Sequence, residues 1–158
     1  MASTGNKNLY QIDKGILKED ALIIIVKTEW NEHIVDELEA GCLKVFNEYG
    51  IRFEILIVPG CVEIPFAIKR HWEKAWEAAS LPDAYIALGC VIKGDTPHFD
   101  YVCNMVSEGV LQLNLNLQVP TIFGVLTVNN EAQALERIGG SHGHKGEEAA
   151  ISALKMIG

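Results

Sequence analysis

The sequence has no C-x-x-C pair, no basic stripe and no apolar run approaching a membrane helix, and each absence closes off a class of protein. Its four cysteines, Cys42, Cys61, Cys90 and Cys103, are widely spaced, which fits neither a zinc knuckle nor a redox pair; buried free thiols are expected. The formal net charge of −8 argues against nucleic acid or a membrane surface as partner, because phosphate polymers reward clustered Lys and Arg. An anionic small molecule would have to be held by local positive groups. The longest apolar run, Ala21 to Val26, is far short of the ~20 residues a membrane span needs. Met1 to Asn8 is polar and has no apolar signal core, so a cytoplasmic location is expected. Neither G-x-G-x-x-G nor G-K-[ST] occurs, so Pro59-Gly60 and the glycine-rich Gly139 to Gly146 are neither a dinucleotide fingerprint nor a P-loop.

What is present is enough apolar material, 49% of 158 residues, to fill the core of one globular domain spanning 1–158. Residues 1–11 are expected to be flexible or to pair with a neighbouring subunit. Four β-branched, largely apolar runs, Leu22 to Val26, Ile51 to Val58, Ala84 to Ile92 and Val119 to Thr127, read as strands buried on both faces. Helical spacing fills the gaps between them. Val35, Leu38, Cys42, Val45 and Tyr49 form one stripe, stopped at Gly50; Ile64, Ile68, Trp72, Ala75, Trp76 and Ala79 form a second, with both tryptophans read as packing residues. A third helix after Pro97 is apolar on two sides, Val102, Val106, Val110 and Leu113 on one and Met105, Leu111 and Leu115 elsewhere. A subunit interface and a helix wedged inside a monomer both fit that pattern. Glu147 to Ile157 is a final helix. The alternation predicts a flavodoxin-like, three-layer α/β/α sandwich: a four-stranded parallel sheet with right-handed crossovers, with room for an extra N-terminal strand.

Ligands bind such sheets beyond the strands' C-terminal ends. After the third strand, Lys93-Gly94-Asp95-Thr96-Pro97-His98 reads as a helix opening, Thr96 capping and Pro97 at the first position, where free N–H groups and the helix dipole would hold phosphate. His98, in the first turn, is placed to accept a proton as a neutral ring and return it. After the first strand, Trp30 could stack on a planar heterocycle or cap the core. After the second, Glu63 could accept hydrogen bonds from a polyol. Arg137 and Lys145 remain as cations for phosphate. His142 and His144, two apart on a loop without companions, give little reason to expect a metal.

Val58 to Phe66, Ala87 to Val102, Phe123 to Thr127 and His144-Lys145-Gly146 together resemble the lumazine synthase family, and the resemblance runs from Asp20 onward. It implies condensation of 5-amino-6-(D-ribitylamino)uracil with 3,4-dihydroxy-2-butanone 4-phosphate to 6,7-dimethyl-8-ribityllumazine, phosphate and water, the penultimate step of riboflavin biosynthesis, without metal or organic cofactor. Carried over position by position, it implies that Trp30 stacks on the pyrimidine while Asn31, Gly60, Cys61, Val62, Glu63, Cys90, Val91 and Ile92 line the substrate. His98 would transfer protons. Lys93, Gly94, Asp95 and Thr96 would hold phosphate together with Arg137, which is also implied to be catalytic and to arrive from a neighbouring subunit, with Phe123 and Lys145 of the same neighbour approaching the substrate. The sequence departs from the family pattern at Trp30, Lys93, Asp95 and His144; the Asp95 carboxylate is expected to point away from phosphate, which it would repel. Family members assemble as pentamers, often as 60-subunit shells, and riboflavin synthase is an implied partner. The short loop from Arg137 to Lys145 favours the shell. A flavin- or lumazine-binding module without catalysis is the rival reading.

Overall fold

The computed structural model describes residues 20–158 together with Ile12 and Lys18, so the expectations for 1–11 and for an extra N-terminal strand lie outside the described residues. The central sheet comprises β1 (Leu22–Thr28), β2 (Arg52–Val58), β3 (Ala84–Ile92) and β4 (Thr121–Val128), all parallel in the order β2-β1-β3-β4. The helices are α1 (Glu32–Tyr49), α2 (Ile64–Glu77), α3 (His98–Asn116), α4 (Glu131–Leu135) and α5 (Lys145–Ile157). Two elements were not expected. They are the short α4, and a hairpin of β5 (Ile138–Gly140) and β6 (Gly143–His144) where the glycine-rich segment read as a loop.

Side-chain alternation along the strands sorts the apolar residues into two cores. Ile23, Ile25, Ile86, Leu88 and Leu126 face α1 and α5, whereas Ile24, Val26, Tyr85, Ala87 and Val125 face α2 and α3. Strands apolar on both faces therefore require a helix layer on each side, and the three-layer sandwich follows. The α1–α5 crossing is close because α5 carries glycine in its first turn: a Cβ on Gly146 would run into the Leu38 carbonyl of α1. The predicted stop of α1 is observed, Gly50 taking φ 69° and donating its N–H to the Phe46 carbonyl.

Trp72 packs partly buried against the α2–α3 core, as expected. Trp76 does not. It is 55% exposed because it lies about 100° round α2 from Ala75, off the buried stripe Ile64, Ile68 and Ala75, and its ring leans on Trp72 with centroids 6.0 Å apart. On α3, Val106, Val110 and Leu113 are buried while Tyr101, Met105, Leu111 and Leu115 are exposed, so the helix is indeed apolar on two sides.

Candidate active site

The C-terminal ends of β1, β2 and β3 meet in one place. At the end of β1, Thr28 is 1% exposed and donates its hydroxyl to the Trp30 carbonyl at 3.1 Å. The chain beyond it stays tied to β2, Glu29 N–H donating to the Val58 carbonyl (2.9 Å) and Trp30 N–H to the Pro59 carbonyl (3.2 Å). Asn31 then turns the backbone through φ 58°, a left-handed conformation that Asn tolerates, and its amide donates to the Cys90 carbonyl on β3 at 2.8 Å. These ties hold the Trp30 indole at the rim, 72% exposed.

Beyond β2, the extended Gly60 leads into a 3-10 turn, Cys61–Glu63, that opens α2. A Cβ on Gly60 would stand 3.1 Å from Glu63 Oε2 and 3.5 Å from Trp30 Cδ1, so ring, glycine and carboxylate are immediate neighbours. Val62 is half-buried beside them. Cys61 turns inward onto Gly89 of β3, where an added Cβ would come within 2.6 Å of the sulfur. Burial, reinforced by Cys90 and Cys103, pushes the Cys61 thiol up to about 12, and burial with Glu131 takes Cys90 up to about 11. Both are therefore neutral thiols at physiological pH, and a neutral thiol is a poor nucleophile. The expectation of buried thiols holds for Cys42, Cys61 and Cys90, with Cys103 half-buried; all four are free.

Beyond β3, Val91 and Ile92 are half-buried and Lys93 to His98 are all exposed. Lys93 N–H continues the β3–β4 pairing by donating to the Val128 carbonyl at 2.8 Å. The helix opening differs from expectation. Pro97, not Thr96, is the N-cap residue and α3 begins at His98 with no side-chain cap, because Pro97 at φ −61°, ψ −4° is already helical and carries no capping group. A Cβ on Gly94 would meet nothing within 4 Å, so no contact among the described residues demands glycine there.

The remaining predicted residues lie elsewhere in the chain. Arg137 and Lys145 are neighbours, the Lys145 N–H donating to the Arg137 carbonyl at 2.8 Å. Their hairpin packs against α1, with His144 on Gly41, on the sheet face opposite α3. The Arg137 guanidinium donates to the Gln133 carbonyl (2.7 Å), and the Lys145 ammonium pairs with Glu148 at 2.6 Å. Phe123, 43% exposed on β4, is paired with Ala87, five residues before Ile92 at the end of β3 and hence ~16 Å from the strand ends. Among the described residues, no three His, Cys, Asp or Glu side chains gather as metal ligands would. A groove of about 550 Å³ between α2 and α3, lined by Pro65, Phe66, Lys69, Gly109, Leu113 and Leu117 among others, contains none of the predicted residues.

Sequence reasoning missed Thr28, Gly89 and the His33–Glu131 contact (2.6 Å), which links the starts of α1 and α4. Only Thr28 left a signal, a hydroxyl on the last residue of β1, at the strand end where ligands bind such sheets. The assembled rim offers a flat ring, an adjacent carboxylate, neutral walls and an exposed loop ending in a histidine. That arrangement suits a planar, hydroxylated ligand with a reacting centre near His98.

A model of the family described as 6,7-dimethyl-8-ribityllumazine synthase matches residues 20–158. A protein of that name from Parabacteroides distasonis is 41% identical over 160 residues, covering 98% of this chain and 97% of the relative. One from Porphyromonas gingivalis is 46% identical over 143 residues (89% and 86%), and one from Cytophaga hutchinsonii 43% over 159 residues (98% and 97%). With the family matched over all but the first 19 positions, and relatives above 40% identity along nearly the whole chain, this chain belongs to the 6,7-dimethyl-8-ribityllumazine synthase family.

Proposed function

We propose that this chain, as a single domain over 1–158, condenses 5-amino-6-(D-ribitylamino)uracil with 3,4-dihydroxy-2-butanone 4-phosphate to give 6,7-dimethyl-8-ribityllumazine. The observation that carries the reading is the meeting of Trp30, Gly60 and Glu63 beyond the ends of β1 and β2, with the loop that ends in His98 following β3, the strand paired to β1. The pyrimidine stacks on Trp30 and is lined by Asn31, Cys61, Val62, Cys90, Val91 and Ile92. Glu63 accepts from ribityl hydroxyls. The substrate's free amine attacks the ketone, water leaves as the imine forms, phosphate is eliminated, and ring closure expels a second water. His98 takes and returns the protons these steps displace. Lys93, Gly94, Asp95 and Thr96 hold the phosphate largely through backbone N–H groups, with the Asp95 carboxylate turned outward to avoid repulsion.

Arg137, Phe123 and Lys145 complete the site from an adjacent subunit. The ~16 Å separation of Phe123 from the strand ends, and the hairpin's position on the opposite face from α3, support this division. The assembly is a homo-pentamer closing into a 60-subunit shell, with the exposed Tyr101, Met105, Leu111 and Leu115 of α3 supporting an intersubunit face. Light scattering that finds nothing larger than a pentamer would reject the shell. No described helix is long and apolar enough to cross a membrane, and a cytoplasmic site of action with riboflavin synthase as the partner that consumes the product completes the reading.

The test is absorbance of the lumazine formed by purified protein given both substrates. His98→Ala should lower kcat about a hundredfold, the modest end of general acid–base effects, with pyrimidine binding retained. Unchanged turnover would remove His98 from the mechanism. A protein that binds product but forms none would favour a binding module.

A further inference from the structure

We propose that Thr28 is a positioning residue for the pyrimidine platform: its buried hydroxyl fixes the turn that carries Trp30. The inference rests on Trp30 being the ring that stacks on substrate. An indole 72% exposed gains little orientation from packing, so its position is set by the backbone beneath it. That backbone, from Glu29 to Asn31, is tied to β2 by two N–H groups and to β3 by the Asn31 amide. Only Thr28 bonds to a Trp30 backbone atom from within the turn itself, its Oγ1 donating to the Trp30 carbonyl at 3.1 Å.

Tyrosine and cysteine apart, Thr28 and Thr121 are the two buried residues with polar side chains among those described. A polar group at 1% exposure is retained at a desolvation cost unless it is bonded, and here its acceptor is the carbonyl of the candidate platform. The side chain is seated as well as bonded. It lies on the α2–α3 face of β1, two positions beyond Val26, against Gly89; a Cβ there would stand 3.3 Å from Thr28 Cγ2, 3.5 Å from Oγ1 and 2.6 Å from Cys61 Sγ. Glycine at 89 thus gives Thr28 and Cys61 a shared notch, and the threonine rotamer is held by β3 while its hydroxyl holds the turn. The Trp30 rim and the Cys61 wall are registered to one another through this contact.

The experiment compares Thr28→Val, which keeps the shape and removes the hydroxyl, with Thr28→Ser and with both backgrounds of Trp30. Loss of one net hydrogen bond should raise KM for the pyrimidine substrate about fivefold. The kcat and the KM for the butanone phosphate should stay within about twofold, and Thr28→Ser should restore the wild-type KM. In a Trp30→Ala background, itself raised in pyrimidine KM, Thr28→Val should add nothing, since the two act through one element. Thr28→Ala serves as a second variant if Thr28→Val fails to fold, and must show the same selective rise. An unchanged pyrimidine KM in Thr28→Val beside a raised one in Trp30→Ala would overturn the proposal while leaving the platform intact. So would an equal Thr28→Val effect with and without the indole. An unchanged KM in Trp30→Ala would overturn the platform reading and the proposal together.

Discussion

Gly89 is the residue on which the site's floor depends, and the reason is steric. Any side chain there meets Cys61 Sγ at 2.6 Å and Thr28 Cγ2 at 3.3 Å, both on buried groups with no slack to yield. Gly89→Ala should therefore destabilise the protein by about 2 kcal/mol, as overpacking of a filled core does. Removing the sulfur should relieve it. In urea unfolding, Gly89→Ala combined with Cys61→Ala should be at least about 1 kcal/mol more stable than the sum of the single losses, a non-additivity that contacting residues show. Strict additivity would mean that the notch is not shared. Such a contact was beyond the sequence. Residues 61 and 89 belong to different elements, neither lies on a periodic pattern that names the other, and only the parallel packing of β2 beside β1 and β1 beside β3 brings them together. The positions of Trp30, Glu63 and His98 were legible for the opposite reason, since each lies just beyond a strand end or at a helix start that the sequence marks.

At the scale of elements, α2 is fastened to β3 by a polar bond set within an apolar layer. His71 Nδ1 lies 2.8 Å from the hydroxyl of the fully buried Tyr85, with their rings edge to face at 5.6 Å. Burial holds the imidazole below its usual value, Lys74 on α2 acts in the same direction, and Glu54 on β2 opposes them. Tyr85 is raised by burial, so it stays protonated and donates while His71 accepts. The folded state then binds a proton at His71 less readily than the unfolded chain. Its contribution is complete above the unfolded value of 6.5 and is lost as pH falls from there through the lower folded value. Unfolding measured at about pH 7.5 and about pH 5.5 should show the wild type losing more stability than His71→Gln, which cannot titrate but can still accept from Tyr85. Equal losses would mean that His71 is not the group responsible. Of the strands, β1 and β3 were readable because each is largely apolar on both faces, whereas β2, read as buried on both faces, lies at the sheet edge with Arg52, Glu54 and Ile57 exposed; the helices were readable because their stripes recur at three and four. By contrast, the strands of the β5–β6 hairpin, three and two residues long, and the five-residue α4 are too short to carry any period, so the segment bearing Arg137 and Lys145 looked like a loop.

For the whole molecule, the decisive matter is whether the site's parts come from one copy of the chain or from two, and no reading of one sequence can assign a residue to its own subunit or to the next. The geometry sharpens the alternatives. His98 begins α3 on one face of the sheet, Arg137 belongs to a hairpin packed with α1 on the other, and Phe123 sits well short of the strand ends. If the working site takes His98 from one subunit and Arg137 from its neighbour, two individually crippled proteins should complement one another. Assemblies of His98→Ala alone and of Arg137→Ala alone have a defect in every site. Unfolded, mixed in equal amounts and reassembled, they should regain sites in which an intact His98 faces an intact Arg137, each present with a chance of one half, so that about a quarter of the sites recover. A site built within one chain allows no such recovery, because every chain in the mixture carries one lesion or the other. Lumazine formation near a quarter of wild type after reassembly, against no more than about a hundredth in the His98→Ala parent treated alone and no comparable recovery in the Arg137→Ala parent, is the expected result. Failure of the mixture to recover, with sedimentation showing that mixed assemblies had formed, would return Arg137 to its own subunit and require the hairpin to reach the site from the far face of the sheet.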